Sequence, residues 1–286
     1  MWFIMAILSA FFAGVTSILV KCGIRNTNSN VAMAIRTIII VIFSLLIVII
    51  SGAFSSIKDI TLRSFVFLLL SGIMTGISWI LYFKALSIGD LNKVVVIDKS
   101  SIVLSILFAI VLFNETNNLL IKLIGIIFIL IGSILMIEKK QIKKNKKNSI
   151  YILYAILSAI FSSLTSVLGK IGIDNVDSNL GTLIRTIVIL IISWIIIFLT
   201  REYKGITKIN KRELTFILLS GISTGVSWLC YYYAIKNGIV SLVIPIDKLS
   251  IVVSIIFSCI FLKEKLSKVS FMGLILFVFG TIVMTF

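Results

Sequence analysis

Long apolar segments separated by short polar stretches run along the whole chain. Each segment holds about twenty mainly apolar residues, the length that crosses a hydrocarbon core of about 30 Å as an α-helix. The apolar runs are continuous rather than strictly alternating, so the pattern predicts helices and not a barrel. Ten transmembrane helices are predicted, at residues 2–22, 31–51, 64–86, 94–113, 119–137, 150–171, 180–200, 213–235, 240–262 and 269–286.

The second half of the chain repeats the first at an offset of 149 residues. AILSAFFAGVTSILVKCGI from Ala6 matches AILSAIFSSLTSVLGKIGI from Ala155, and SGIMTGISWILYF from Ser71 matches SGISTGVSWLCYY from Ser220. The register holds without a gap from Ala6 to Glu115 and slips by one residue before the last span of each half. The chain therefore contains two copies of one unit.

Each copy contains five predicted spans, and an odd number reverses the direction in which the second copy enters the membrane. The predicted fold is an all-α integral membrane protein of ten transmembrane helices, built as two inverted-topology five-helix repeats. The repeats cover residues 1–137 and 150–286, and a Lys-rich linker at 138–149 joins them. This architecture is typical of secondary transporters, because exchanging the conformations of the two halves turns an inward-open state into an outward-open one.

The composition agrees with a membrane location, since 59% of the 286 residues are hydrophobic and only 13% are charged. The formal net charge is +16, and six lysines lie together in EKKQIKKNKKN at 138–148. Basic loop residues concentrate on the side of this linker, so the positive-inside rule predicts a cell-membrane protein with a cytoplasmic linker and both termini outside. The lysines are explained by their role in setting the topology and by attraction to anionic lipids, so nucleic-acid binding is not expected. A regulatory or partner-binding role of the linker stays open.

The residue types argue against catalysis. The sequence has no histidine, and its cysteines, Cys22, Cys230 and Cys259, are widely spaced in apolar segments. We therefore expect no metal site and no cofactor, and we interpret the cysteines as packing residues. An enzyme would need a cluster of acid, base or metal ligands, and no such cluster is visible in the sequence. The protein is predicted not to be an enzyme.

Three sequence features occur in both halves. The second span has an early arginine (Arg36, Arg185), the fourth closes on a glutamate (Glu115, Glu264), and the fifth is Gly-rich, in GIIFILIG and GLILFVFG. With these features each half resembles the EamA domain of the drug/metabolite transporter superfamily, and the two domains cover essentially the whole chain. A proline near the start of the fourth span, frequent in that family, is present as Pro245. The resemblance implies a ten-helix transporter of small metabolites, often an exporter, and names no substrate.

Polar residues of the third and eighth spans fall on one helical face, because residues three, four and seven apart share a face. These stripes consist of Ser71, Thr75, Ser78 and Tyr82, and of Ser220, Thr224, Ser227 and Tyr231. We interpret them as lining a cavity, with hydrogen bonding between helices as the alternative. Beside them, GxxxG spacing predicts a packing ridge. The ridge residues are Gly72, Gly76 and Trp79, and Gly221, Gly225 and Trp228.

Ionisable residues inside spans are costly and usually face the bundle interior or a watery path. One predicted layer contains Lys21, Arg36, Lys84, Asp98 and Lys99, and the layer toward the other side contains Lys170, Arg185, Asp247 and Lys248. Adjacent helical residues point about 100° apart, so the Asp–Lys neighbours are not expected to be each other's main partners. The aspartates are candidates for binding, coupling or gating. The arginines either pair with them or contact substrate, and the lysines either snorkel or face the path.

The sequence thus predicts a secondary transporter, an exporter or exchanger, of a small polar metabolite such as an amino acid. It would act by alternating access, with Asp98 and Asp247 bordering a central cavity. Excess basic groups in both layers favour a substrate with a carboxylate or phosphate. A flippase for a lipid-linked substrate is the alternative, and a membrane-embedded enzyme a weaker one. Expected partners are the substrate and the bilayer; the direction of transport, the coupling ion and the oligomeric state are not readable.

Overall fold

The computed structural model describes residues 1–23, 27–88, 91–136, 150–261 and 267–285. All regular secondary structure in these ranges is helical. The α-helices are α1 (Trp2–Gly23), α2 (Ser29–Ile50), α3 (Leu62–Ile88), α4 (Leu91–Leu112), α5 (Leu119–Leu135), α6 (Ile150–Ile173), α7 (Ser178–Thr200), α8 (Lys211–Asn237), α9 (Val240–Lys248), α10 (Ser250–Phe261) and α11 (Lys268–Val283). Short 3₁₀ helices at Ala53–Asp59 and Glu202–Lys208 precede α3 and α8. The whole linker at 138–149 and Glu264 lie outside the described residues.

Seven apolar stretches in the described part of the chain are long enough to cross a bilayer. They are Trp2–Val20, Ser29–Ile50, Leu62–Tyr82, Ile150–Ile173, Ser178–Thr200, Lys211–Asn237 and Val240–Ile260. Three shorter apolar helices fall within the predicted fourth, fifth and tenth spans, at Ser100–Leu112, Leu119–Leu135 and Lys268–Val283. Large apolar side chains such as Ile50 and Leu199, each 79% exposed, cover the outer surface. The chain is a multi-pass membrane protein.

The predicted ninth span is not one continuous helix. It divides into α9 and α10 at Leu249, whose amide donates to the Ile246 carbonyl at 3.0 Å. Pro245 lies inside α9 and has no N–H, so it removes one helical hydrogen bond and crowds the preceding turn. The equivalent position in the first half is Val96, and α4 runs without a break.

The two halves pack against each other through reciprocal helix pairs. α1 packs on α8 and α3 on α6, while α2 contacts α7 and α5 contacts α11. A methyl group at Gly72 would lie 2.8 Å from the Val188 Cβ, and one at Gly221 would lie 2.7 Å from the Ile39 Cβ. These two contacts are related by the 149-residue offset with the halves exchanged. The predicted glycine ridge is therefore a helix-packing surface, where the missing side chains let two helices approach closely.

Loop contacts define one end of the helix bundle, called the Glu115 end. The Glu115 carboxylate, which follows α4, accepts hydrogen bonds of 2.7 Å from the amides of Val240 and Ser241 at the start of α9. Lys170 near the end of α6 donates through Nζ to the Lys236 carbonyl at the end of α8, at 2.7 Å. The ends of α4, α6 and α8 and the start of α9 therefore lie together.

The opposite end is called the Glu202 end. The Glu202 carboxylate, which follows α7, accepts from the side chains of Asn28 and Asn30 at 3.0 and 2.8 Å. The Thr27 hydroxyl donates to the Glu213 carboxylate at 2.6 Å. The start of α2, the end of α7 and the start of α8 therefore meet here.

Candidate functional site

The Arg185 guanidinium lies at the centre of a buried polar cluster between the halves. The residue is only 2% exposed. Its Nη2 donates to the Thr75 hydroxyl at 3.0 Å, and its Nε donates to the Ser71 hydroxyl at 3.4 Å. Aromatic rings also face the cation, with Cζ 4.4 Å from the Tyr232 centroid and 5.3 Å from the Trp228 centroid. A buried cation is stabilised here by hydroxyls and π faces rather than by a carboxylate.

Tyr231 continues this cluster toward α9. Its hydroxyl lies 2.9 Å from the Ser166 hydroxyl on α6. It interacts electrostatically with Asp247 and with Arg185, which places the three groups in one neighbourhood. Tyr231 therefore lies near both Arg185 and Asp247, two members of one predicted layer, while its hydroxyl bonds to Ser166.

Asp247 is bound mainly by a serine of the other half. The Ser9 hydroxyl on α1 donates to Asp247 Oδ1 at 2.6 Å. Lys248 Nζ lies 3.8 Å from Asp247 Oδ2, but its side chain is 46% exposed, whereas that of Asp247 is 15% exposed. This longer contact lies beside the helix break at Leu249, and it does not make Lys248 the main partner of Asp247. The shorter bond from Ser9 is still the principal one.

The equivalent groups of the first half are arranged differently. Arg36 is partly buried, and its Nε is a buried atom with no hydrogen-bond partner among the described residues. Asp98 is partly buried and interacts electrostatically with Tyr82. The side chains of Lys21 and Lys99 lie outside the described part of the structure. Within the described residues, Arg36 and Arg185 are therefore equivalent in sequence but not in hydrogen bonding.

Lys170 is a structural residue in this conformation. Its Nζ bonds to the Lys236 carbonyl, one of the last carbonyls of α8, where a helix lacks internal partners. The lysine therefore links α6 to α8 at the Glu115 end.

The serine stripe bonds between helices. Ser78 Oγ donates to the Ser158 carbonyl at 3.1 Å, and Ser158 Oγ donates to the Ser78 carbonyl at 3.0 Å. Ser227 Oγ donates to the Ser9 carbonyl at 3.0 Å, which is the equivalent pair. At Ser78 and Ser227 the structure therefore shows hydrogen bonding between helices, which was the alternative to cavity lining. Trp79 is partly buried on the packing ridge.

A cavity of about 350 Å³ opens at the Glu115 end. Its lining includes Thr61, Arg63 and Ser64 from the start of α3, Leu112 from the end of α4, and Lys170 and Asp174 from the end of α6. Of the predicted site residues, Lys170 contributes to this lining. The start of α3 therefore lies at the same end as the end of α6.

The two bonds from Glu115 to the start of α9 give this residue a structural role. Sequence reasoning missed its partner, and it also missed Ser9 on α1 and Ser158 on α6. Ser9 and Ser158 are the same residue of the AILSA motif, which occurs once in each half. Their recurrence in the repeat could have identified them.

Comparisons with known proteins agree with the repeat. The model of the EamA-like transporter family matches residues 1–138 and 149–286. An uncharacterized transporter in the cobO 3′ region of a Sinorhizobium species is 40% identical over 131 residues, covering 46% of this chain and 93% of the relative. An uncharacterized protein of Methanocaldococcus jannaschii is 26% identical over 135 residues, covering 47% and 95%. Each relative has about the length of one half.

The fold also has a solved counterpart. A crystal structure described only as that of a protein superposes with a TM-score of 0.79 at 15% identity, covering 99% of this chain and 96% of the other. At that identity the likeness concerns the fold alone.

Proposed function

The chain belongs to the EamA-like transporter family, and we propose that it is a secondary transporter of a small polar metabolite, acting by alternating access between two inverted repeats. Family membership and a relative named as a transporter indicate transport rather than enzymatic catalysis. The observation that carries the mechanism is the reciprocal packing of the halves, in which α1 contacts α8 as α6 contacts α3. A site between such halves can be opened toward either side by exchanging their conformations.

The directions of equivalent helices support inversion. α8 begins at the Glu202 end, near Thr27, and finishes at the Glu115 end, where Lys236 accepts a bond from Lys170. Its equivalent, α3, begins at the Glu115 end, in the cavity shared with Asp174. The two helices therefore run in opposite directions, as inverted repeats require.

The polar cluster supports the substrate class. Arg185 is buried and bonded only to neutral groups among the described residues, so its charge is available to an anionic group of a ligand. Asp247 lies in the same cluster and provides an acceptor for an ammonium group or a proton. An amino acid carries both charges, which makes it the best match. Asp98 and Arg36 would serve equivalent roles at the other end.

The orientation follows from charge. With the Lys-rich linker at 138–149 in the cytoplasm of a cell-membrane protein, the Glu115 end would face outward. At this end Glu115 bonds to the start of α9 and Lys170 to the end of α8, beside the cavity of about 350 Å³. An exporter or exchanger would take up its substrate at the other end, the Glu202 end, on the cytoplasmic side.

The test is a thermal-shift screen of the purified protein against a metabolite library, followed by flux into proteoliposomes with and without a pH gradient. We expect a small zwitterionic or anionic metabolite to stabilise the protein and to be carried. Stabilisation and scrambling only by lipid-linked compounds would replace this proposal with a flippase. Binding without flux in either direction would contradict transport.

A further inference from the structure

The two arginines of the repeat are in different hydrogen-bonding states. Arg185 donates to the hydroxyls of Ser71 and Thr75 on α3. Arg36 is its equivalent at the 149-residue offset, yet its Nε is buried without a partner among the described residues. Leaving a buried donor of a charged group unpaired costs free energy, so this state needs a physical reason.

The hydroxyls that correspond to Ser71 and Thr75 belong to Ser220 and Thr224 on α8, and neither accepts a bond from Arg36 among the described residues. Ser220 Oγ donates within its own helix to the Ile217 carbonyl at 2.6 Å. Thr224 Oγ1 lies 2.7 Å from the Ser220 carbonyl and 3.3 Å from the Thr16 hydroxyl, the same contacts that Thr75 makes with Ser71 and Thr165. Arg36 is therefore beside a matching pair of acceptors that it does not use.

The backbone already brings these groups close. A methyl group at Gly221, next to Ser220, would lie 3.1 Å from the Arg36 carbonyl. The equivalent distance, from Gly72 to the Arg185 carbonyl, is 2.9 Å. The backbone contacts of the two arginines are thus nearly the same in the two halves. Their hydrogen bonding differs because of the side chains and because the contact of α3 with α6 differs from that of α8 with α1. Ser71 bonds across to the Thr165 carbonyl, whereas Ser220 does not cross to α1.

We infer that Arg36 and Arg185 are alternating positioning residues: in the opposite conformation Arg36 donates to Ser220 and Thr224, while Arg185 releases Ser71 and Thr75. This rests on the proposed alternating-access function, because exchange of the halves converts each set of contacts into the other. The total number of arginine–hydroxyl bonds is conserved through the cycle. Each conformation therefore keeps one bonded arginine and one unbonded arginine, which avoids a large free-energy difference between the states.

The hydroxyl pairs give a directional test. Ser71→Ala with Thr75→Val removes the bonds present in this structure, so it should favour the opposite conformation. Ser220→Ala with Thr224→Val removes the bonds inferred for that conformation, so it should favour the present one. Because a hydrogen bond to a charged group contributes roughly 1.5–3 kcal/mol, we expect each pair to change the population ratio by about tenfold or more.

Spin-label distances measure both ends of the full-length protein in vesicles. One pair of labels, at Lys58 and Asn237, reports on the start of α3 and the end of α8, and both residues are exposed. The matched pair, at Thr207 and Ile88, occupies the equivalent positions and is also exposed. The Ser71/Thr75 variant should change the two distances in opposite directions, because one end opens as the other closes, and the Ser220/Thr224 variant should shift each distance the other way.

The control is Ser133→Ala with Thr281→Val, since both buried hydroxyls bond within their own helices. It should leave both distances unchanged, and melting temperatures identify any variant that has unfolded. Shifts in the same direction, or no shift, in a protein that still carries substrate would overturn the inference and leave the transport function standing. Distances that never change, with no flux, would overturn the transport function and this inference together.

Discussion

Ser9 on α1 donates a hydrogen bond of 2.6 Å to the carboxylate of Asp247 on α9, although 238 positions separate them in the sequence. The same serine lies 3.3 Å from the Ser227 hydroxyl on α8. One short side chain thus connects the predicted acidic residue to the predicted polar stripe, across the boundary between the two halves. The following predictions depend on contacts of this kind.

Replacing Asp247 with Asn should reduce transport. The amide keeps the shape but loses the charge that accepts the short bond from Ser9, and hydrogen bonds to charged groups contribute roughly 1.5–3 kcal/mol. We expect flux into proteoliposomes to fall by about tenfold or more and to lose its dependence on a pH gradient. Asp98→Asn should have a similar effect.

Asp177→Asn is the matched control. Asp177 caps α7 by accepting from the Asn179 amide at 2.9 Å, and asparagine caps a helix equally well. Its flux should equal that of the unsubstituted protein. Wild-type rates and pH dependence in both Asp98→Asn and Asp247→Asn would show that neither carboxylate functions in transport.

Replacing Glu115 with Gln should destabilise the Glu115 end. Glutamine has one acceptor oxygen for two amides, those of Val240 and Ser241, and it lacks the negative charge that a helix N-terminus favours. The expected cost is about 1 kcal/mol, measured as a lower melting temperature in detergent. Glu202→Gln should cost less, because the partners of Glu202 in the described part of the chain are the side chains of Asn28 and Asn30 and no helix-start amides. An equal effect of the two substitutions would contradict a capping role.

Replacing Gly132 with Ala should destabilise the packing of α5 against α11. The added methyl would lie 2.6 Å from the Gly273 carbonyl oxygen, so the backbones must separate. Overpacking of this kind costs roughly 1–3 kcal/mol. Gly205→Ala is the comparison, because its nearest neighbour would be 3.5 Å away. Thermal unfolding of both variants tests the contact, and a stable Gly132→Ala protein would count against it.

Arg185→Lys should not preserve the polar cluster. An ammonium group cannot donate in a planar fork to Ser71 and Thr75 while its face rests on the Tyr232 ring. We expect a loss of about 2 kcal/mol in stability together with reduced flux. Arg212→Lys, at an exposed position at the start of α8, should change neither quantity. If Arg185→Lys behaves like Arg212→Lys, the guanidinium geometry is unimportant.

Much of the architecture was predictable because it repeats. The apolar runs gave the helix positions, and the 149-residue offset identified Gly72 and Gly221 as equivalent packing residues, which the structure confirms. Tyr231 interacts electrostatically with Asp247 and Arg185, two members of one predicted layer. These features depend on local periodicity, which a single sequence contains.

The partners of the charged groups were not predictable in the same way. A sequence shows that Asp247 and Arg185 need partners, but the choice of Ser9 over Arg185 depends on the distance between α1 and α9 after packing. Glu115 is a similar case, since its contact with Val240 spans the two halves. The break at Leu249 follows from Pro245, which is present in the sequence. The sequence analysis nevertheless predicted one continuous span at 240–262.

Pro245 makes the two halves chemically unequal at one position. For a transporter of the proposed kind, exchange between identical halves would produce two states of equal energy, related by a two-fold axis in the membrane plane. The discontinuous α9 and the continuous α4 remove that degeneracy, because no rearrangement can move a proline from one half to the other. The amino-acid sequence itself then determines which side of the membrane the resting transporter faces. A gradient or a bound substrate only has to overcome that preference.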